Sequence, residues 1–220
     1  MFTRTFLLLL TIVSIAMAQP NPIRVVFFGD SITELGVKPG GYITKIQETL
    51  RQQPVPFELI GAGISGNKIY DLYLRLEDDV LRKNPDVVVV YIGVNDVWHK
   101  ALLGTGTDPD KFELFYAAII KKLKERNIRL ILCTPAVIGE RTDNSNQQDG
   151  DLNLYSQIIR RLAAQFGCAL CDLRSAFLDY NRTHNPANKA AGILTTDRVH
   201  LNDQGNSLVA GLLVHELTTK

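Results

Sequence analysis

Thr196-Asp197-Arg198-Val199-His200 places a carboxylate three residues ahead of an imidazole. At that spacing the acid can accept a hydrogen bond from one ring nitrogen and hold the tautomer, which leaves the other nitrogen as a base toward a hydroxyl. A hydroxyl nucleophile is available far upstream, where Val25-Val26-Phe27-Phe28 runs into Gly29-Asp30-Ser31. A β-branched and aromatic run of that length reads as a buried strand. It sets Ser31 at the strand's carboxyl end, the edge on which open α/β sheets bind ligands. Two further stretches bring small and amide groups: Gly61-Ala62-Gly63-Ile64-Ser65-Gly66-Asn67, read as a glycine-rich loop, and Gly93-Val94-Asn95-Asp96. Singly, each has an ordinary explanation, since Gly-Asp-Ser makes turns and Asp-x-x-His occurs on surfaces. Jointly they supply a nucleophile, a base, an acid to orient it and fixed donors for an oxyanion, which is the equipment of acyl transfer through a covalent serine.

The elements that must position these groups follow from periodicity. Strands are expected at Val25–Gly29, Phe57–Ile60, Val87–Ile92, Arg129–Thr134 and Ala169–Leu173, the third apolar on both faces as central parallel strands are. Helical spacing is expected over Gly41–Gln53, Asp71–Lys83, about Asp110–Arg126, Leu152–Phe166, a short piece at Arg174–Tyr180, and a final helix from Asp203 through Leu217. Residues 98 to 110, with Trp98 and His99, read as a loop that contacts substrate or merely packs on the surface, and Gly139–Gly150 as a polar surface loop. Alternating strands and helices give an α/β fold with a parallel sheet covered on both faces, a three-layer α/β/α sandwich. No repeat or low-complexity segment occurs.

With these four blocks in this order, the chain resembles the GDSL-type esterases of the SGNH hydrolase superfamily over nearly all of residues 19–220. The resemblance implies a five-stranded sheet in flavodoxin-like order 2-1-3-4-5. It implies Ser31 as nucleophile, His200 as general base and Asp197 as its orienting acid. Backbone N–H groups of Ser31 and Gly66 and the side chain of Asn95 would form the oxyanion hole. Gly61 stands where the family often has asparagine, and the first block continues Ile32-Thr33 rather than with leucine; neither change touches an assigned atom. The Gly-x-Ser-x-Gly elbow of α/β-hydrolases is missing around Ser31.

At 220 residues, 45% apolar and 21% charged, the chain is long enough for one well-cored domain, and a net charge of +1 argues against a nucleic-acid partner. Arg4, the apolar run Phe6–Val13 and Ala16-Met17-Ala18 read as a secretory signal cut after Ala18, giving a secreted or periplasmic protein that begins at Gln19; the apolar run is shorter than a bilayer requires. Cys168 and Cys171 are about 10 Å apart if extended, too far to bridge, and with Cys133 read as buried free thiols. His99, His184 and His215 show no metal-ligand spacing, and neither metal nor organic cofactor is expected. The expected substrate is a small acyl ester, acetyl above all, on a polar carrier such as carbohydrate, because a long chain needs an apolar trough worth about 0.8 kcal/mol per CH₂. Ala101-Leu102-Leu103 beside Trp98 could build only a small pocket. The rival readings are a lysophospholipase, an acyltransferase and an inactive carbohydrate-binding module.

Overall fold

A computed structural model describes residues 21–219; the expected signal segment lies outside them. Five parallel strands, β1 (Ile23–Gly29), β2 (Phe57–Gly63), β3 (Val87–Tyr91), β4 (Arg129–Cys133) and β5 (Ala169–Cys171), form one sheet in the order β2-β1-β3-β4-β5. This is the expected architecture and order. Val25–Phe28 and Val87–Val90 are all but inaccessible, which explains their unbroken apolar runs: strands at the centre of the sheet are covered on both sides. Among the described residues eight α-helices accompany them: α1 (Ser31–Gly36), α2 (Tyr42–Leu50), α3 (Ile69–Asp79), α4 (Val94–Leu103), α5 (Pro109–Lys124), α6 (Asp149–Phe166), α7 (Leu173–His184) and α8 (Asp203–Thr218). α2 packs with α8, while α3, α5 and α6 pack side by side. Right-handed crossovers put these two groups on opposite faces of the sheet.

The chain leaves β1 outward to β2 and then returns past β1 to β3, so the strand order reverses between β1 and β3. That reversal opens a crevice at the carboxyl ends of the two strands, where Ser31 and Asn95 follow β1 and β3.

Four local expectations need correction. Gly61–Gly63 belong to β2 rather than to a loop. The glycines serve close approach: a Cβ on Gly63 would lie 2.1 Å from the Glu34 backbone nitrogen, and one on Gly61 would lie 2.4 Å from the Val37 side chain. Residues 98–103 are helical as part of α4, which starts after Gly93 at φ 123° and ends at Gly104 in the left-handed region. Leu102 and Leu103 are exposed on its last turn, whereas Trp98 packs against the core. α7 runs to His184, its pattern masked in sequence because Arg174 is buried and paired with Asp149. Finally, Gly139–Gly150 is not wholly a surface loop, since Glu140 and Asn146 are buried. Cys133 and Cys171 are buried and Cys168 half-buried; all three are free thiols.

Candidate active site

Ser31 is the first residue of α1, a six-residue helix too short to announce itself by periodicity. Asp30 caps it, its carboxylate accepting the Ile32 N–H at 3.0 Å. Ser31 Oγ lies 3.0 Å from His200 Nε2, and His200 Nδ1 lies 2.7 Å from Asp197 Oδ2. Residues 31 and 200, which are 169 positions apart, therefore meet as expected from their types.

The turn that carries the pair is tightly determined. Asp197 Oδ1 accepts the backbone N–H groups of Val199 at 3.1 Å and His200 at 2.8 Å, while its other oxygen faces the ring. Partial burial works against its charge, but these hydrogen bonds outweigh it and hold the Asp197 carboxyl below its ordinary range. The acid is thus ionised at neutral pH. Arg198 sits at φ 86°, a left-handed conformation that a non-glycine residue adopts only under constraint; Gly139 N–H donates to its carbonyl at 2.8 Å.

The turn hangs from Glu140, a residue that sequence reading left unremarked. Its carboxylate is 1% exposed and accepts three consecutive backbone N–H groups: Ile193 at 2.8 Å, Leu194 at 2.6 Å and Thr195 at 2.7 Å. The only sequence signal was an acid just after the apolar run Ala136-Val137-Ile138. An antiparallel bridge between Thr195 and Leu201 then closes the base of the loop that presents Asp197 and His200.

On the opposite side, residues 64–67 are drawn to the Ser31 helix and to the carboxyl end of β1. Ile64 N–H donates to Gly29 O at 3.2 Å, and Ser65 donates from both N–H and Oγ to Glu34 Oε2 at 2.6 Å. Gly66 takes φ 79°, a left-handed conformation that glycine adopts without strain. Neither Ser31 N–H nor Gly66 N–H donates to a protein acceptor among the described residues. Asn95, on the first turn of α4 and 3% exposed, spends one amide hydrogen on Asn67 O at 3.1 Å, which fixes the orientation of the other. Ser31 N–H, Gly66 N–H and the second Asn95 amide hydrogen, the groups that the resemblance names for an oxyanion, thus each sit on a segment already held by hydrogen bonds.

Beneath them lie two buried acids. Burial pushes Asp30 up to about 7, with the neighbouring Asp96 adding to the effect, and pushes Asp96 itself up to about 7. Asp96 Oδ1 accepts the Ile69 N–H at 3.2 Å, and Oδ2 has no partner among the described residues. His99 faces Gly66, its Cε1 3.9 Å from where a Cβ would stand. Partial burial and then the Lys68 charge lower its pKa, so near neutral pH it presents an uncharged ring. No cluster of three metal-binding side chains occurs among the described residues.

Known proteins share the chain's family and architecture. Residues 27–208 match the model of the GDSL-like lipase/acylhydrolase family. The acetyl xylan esterase AlAXEase superposes with a TM-score of 0.87 at 63% identity, over 89% of this chain and all of that one. The acetylxylan esterase of Geobacillus stearothermophilus is 27% identical over 215 residues, 88% of this chain and 93% of that protein. Its crystal structure gives a TM-score of 0.80 at 25% identity, covering 93% and 98% of the two chains. LAE5, an α/β hydrolase from the metagenome of Lake Arreo, gives 0.78 at 27% identity, covering 89% and 95%.

Proposed function

The chain belongs to the GDSL-like lipase/acylhydrolase family and is a carboxylic ester hydrolase, and from that premise we propose that it removes acetyl groups from acetylated xylan or xylo-oligosaccharides, with Ser31, His200 and Asp197 as its catalytic triad. The observation that carries the reading is the hydrogen-bonded line Ser31 Oγ, His200 Nε2, His200 Nδ1, Asp197 Oδ2, at 3.0 and 2.7 Å. The acetylxylan esterase of Geobacillus stearothermophilus supports it: that protein has been crystallised as aspartate-to-alanine and histidine-to-alanine catalytic mutants three positions apart, the spacing of Asp197 and His200.

His200 Nε2 takes the Ser31 proton as Oγ attacks the acetyl carbonyl, while Asp197 holds the ring and stabilises the imidazolium. The new oxyanion is received by Ser31 N–H, Gly66 N–H and the free amide hydrogen of Asn95. These donors need no reorganisation, because Glu34, Gly29 O and Asn67 O already hold the segments that bear them. Collapse breaks the bond to the sugar oxygen, which takes the proton from His200, and acetyl-Ser31 remains. Water, deprotonated by the same nitrogen, then releases acetate.

The test is kcat/KM on acetylated xylan beside acetyl, butanoyl and octanoyl aryl esters. Acetyl should be preferred, Ser31→Ala should be folded and inactive, and Asn95→Ala should lose about 10² to 10³ in kcat at nearly constant KM. A rate that climbs to octanoyl, or no acetate from xylan, overturns the substrate. We also propose that the protein is exported with loss of residues 1–18; Gln19 as the first residue of protein recovered outside the cytoplasm supports this, and a retained Met1 overturns it.

A further inference from the structure

We infer that Arg75 is a positioning residue of the oxyanion site, acting through Asn67 on Asn95 and through the β1 and β2 ends on Ser31 and Gly66. The inference rests on the esterase reading and is indifferent to which acetyl ester is the natural one. Arg75 lies on α3, with its side chain 14% exposed, and its guanidinium is aimed at the carboxyl ends of β1 and β2. Nη2 donates to Gly29 O at 2.7 Å, two residues before Ser31. Nη1 donates to Ala62 O at 3.0 Å and to Asp79 at 2.8 Å, and Nε to Asn67 Oδ1 at 2.7 Å. The plane also covers the Phe28 ring at 4.5 Å from its centroid.

Four of the five guanidinium hydrogens are therefore committed to four different residues. Asp79 orients the fork from within α3; the other three acceptors are the segments that deliver Ser31, the entrance to the Gly66 loop, and the residue whose carbonyl fixes Asn95. Gly29 O also receives Ile64 N–H, so one carbonyl is shared by the arginine and the loop that it steadies. Nothing in this arrangement reaches the reacting atoms, and Arg75 does not contact His200 or Asp197. Its influence should appear where donor placement matters, in the transition state, and not in ground-state binding. A lysine carries the charge on a single nitrogen and cannot span these acceptors in one plane.

The experiment measures kcat and KM of Arg75→Lys, Asn67→Ala, Asn95→Ala and the Arg75→Lys/Asn95→Ala double variant on an aryl acetate, with melting curves on each. Arg75→Lys should lose about 10-fold or more in kcat with KM within about 2-fold, as expected when transition-state donors are misplaced. Asn67→Ala keeps the backbone carbonyl and removes only the acceptor of Nε, so it should lose several-fold in kcat while remaining folded, with at most a modest fall in melting temperature. In the double variant the loss from Arg75→Lys should shrink by at least about 3-fold relative to its loss in the wild-type background, because part of what Arg75 positions is then absent. Equal losses in the two backgrounds, or folded Arg75→Lys and Asn67→Ala proteins with kcat within about 2-fold of wild type, overturn the assignment. Ser31→Ala assayed alongside keeps the readings apart, since its inactivity sustains the esterase reading even when Arg75 fails.

Discussion

Replacing Glu140 by glutamine tests whether the catalytic turn is hung from a single buried carboxylate. Oε1 accepts Leu194 N–H and Thr195 N–H, and Oε2 accepts Ile193 N–H. An amide of the same shape retains one oxygen for the first two and places an NH₂ group against the third, donor to donor. Orphaning one buried N–H costs about 1–3 kcal/mol, and exchanging a charged for a neutral acceptor costs about 1 kcal/mol at each of the other two. The sum, about 3–5 kcal/mol, corresponds to a melting point lower by about 6–20 °C for a domain of this size. Since Thr195 is two residues from Asp197, kcat should fall as well, by more than KM rises. Calorimetry and aryl acetate kinetics at a temperature where both proteins are folded provide the measurements. A Glu140→Gln protein melting within about 2 °C of wild type would refute the reasoning, because unsatisfied donors at a site 1% exposed have no water to turn to.

Two further outcomes follow from buried groups near Ser31. Asp96, raised from 3.8 to about 7 by burial, keeps its proton in the folded state over a range where the unfolded chain has lost it. A raised folded pKa means that its contribution is intact below about pH 4 and lost as pH climbs to 7, about 4 kcal/mol at about 1.4 kcal/mol per pH unit. Urea unfolding from pH 4 to 8 should show this decline, and Asp96→Asn should make it shallower without abolishing it, since burial raises Asp30 to about 7 as well; an unaltered slope in the variant contradicts the assignment. Gly63→Ala would drive a methyl group to 2.1 Å from Glu34 N and 2.7 Å from Asp30 O, all rigid backbone. It should cost about 1–3 kcal/mol and at least about 10-fold in kcat by displacing α1, whereas Gly150→Ala, with open space around it, should be neutral or slightly stabilising. Equal activity in the two variants would show that α1 tolerates displacement.

The strands were legible because each is written locally, as apolar runs for β1, β3 and β4; the sheet order came only through the family resemblance, carried by the short blocks that hold Ser31, Gly66, Asn95, Asp197 and His200. What escaped sequence reading depends on distant partners. Gly61 and Gly63 look like a flexible loop until α1 and Val37 are seen to need the space that a Cβ would fill. Glu140 and Arg174 resemble surface charges, and only partners 53–55 and 25 positions away reveal them as buried anchors. α4 was hidden because its first turn carries Asn95 and Asp96, residues that read as the end of a strand and are instead buried in a helix.

The contact between Ser31 and His200 joins the two ends of the fold, and the Tyr42 N–H held by Asn206 Oδ1 at 2.8 Å latches α2 to α8 across 164 positions. A chain emerging from the ribosome therefore carries its serine long before its base exists. Contacts of such separation are also the slowest to form. Hydrolysis of an aryl acetate is then a clock for the docking of the carboxyl-terminal helix: in a refolding experiment, helical signal and buried tyrosine fluorescence should recover first, and turnover last.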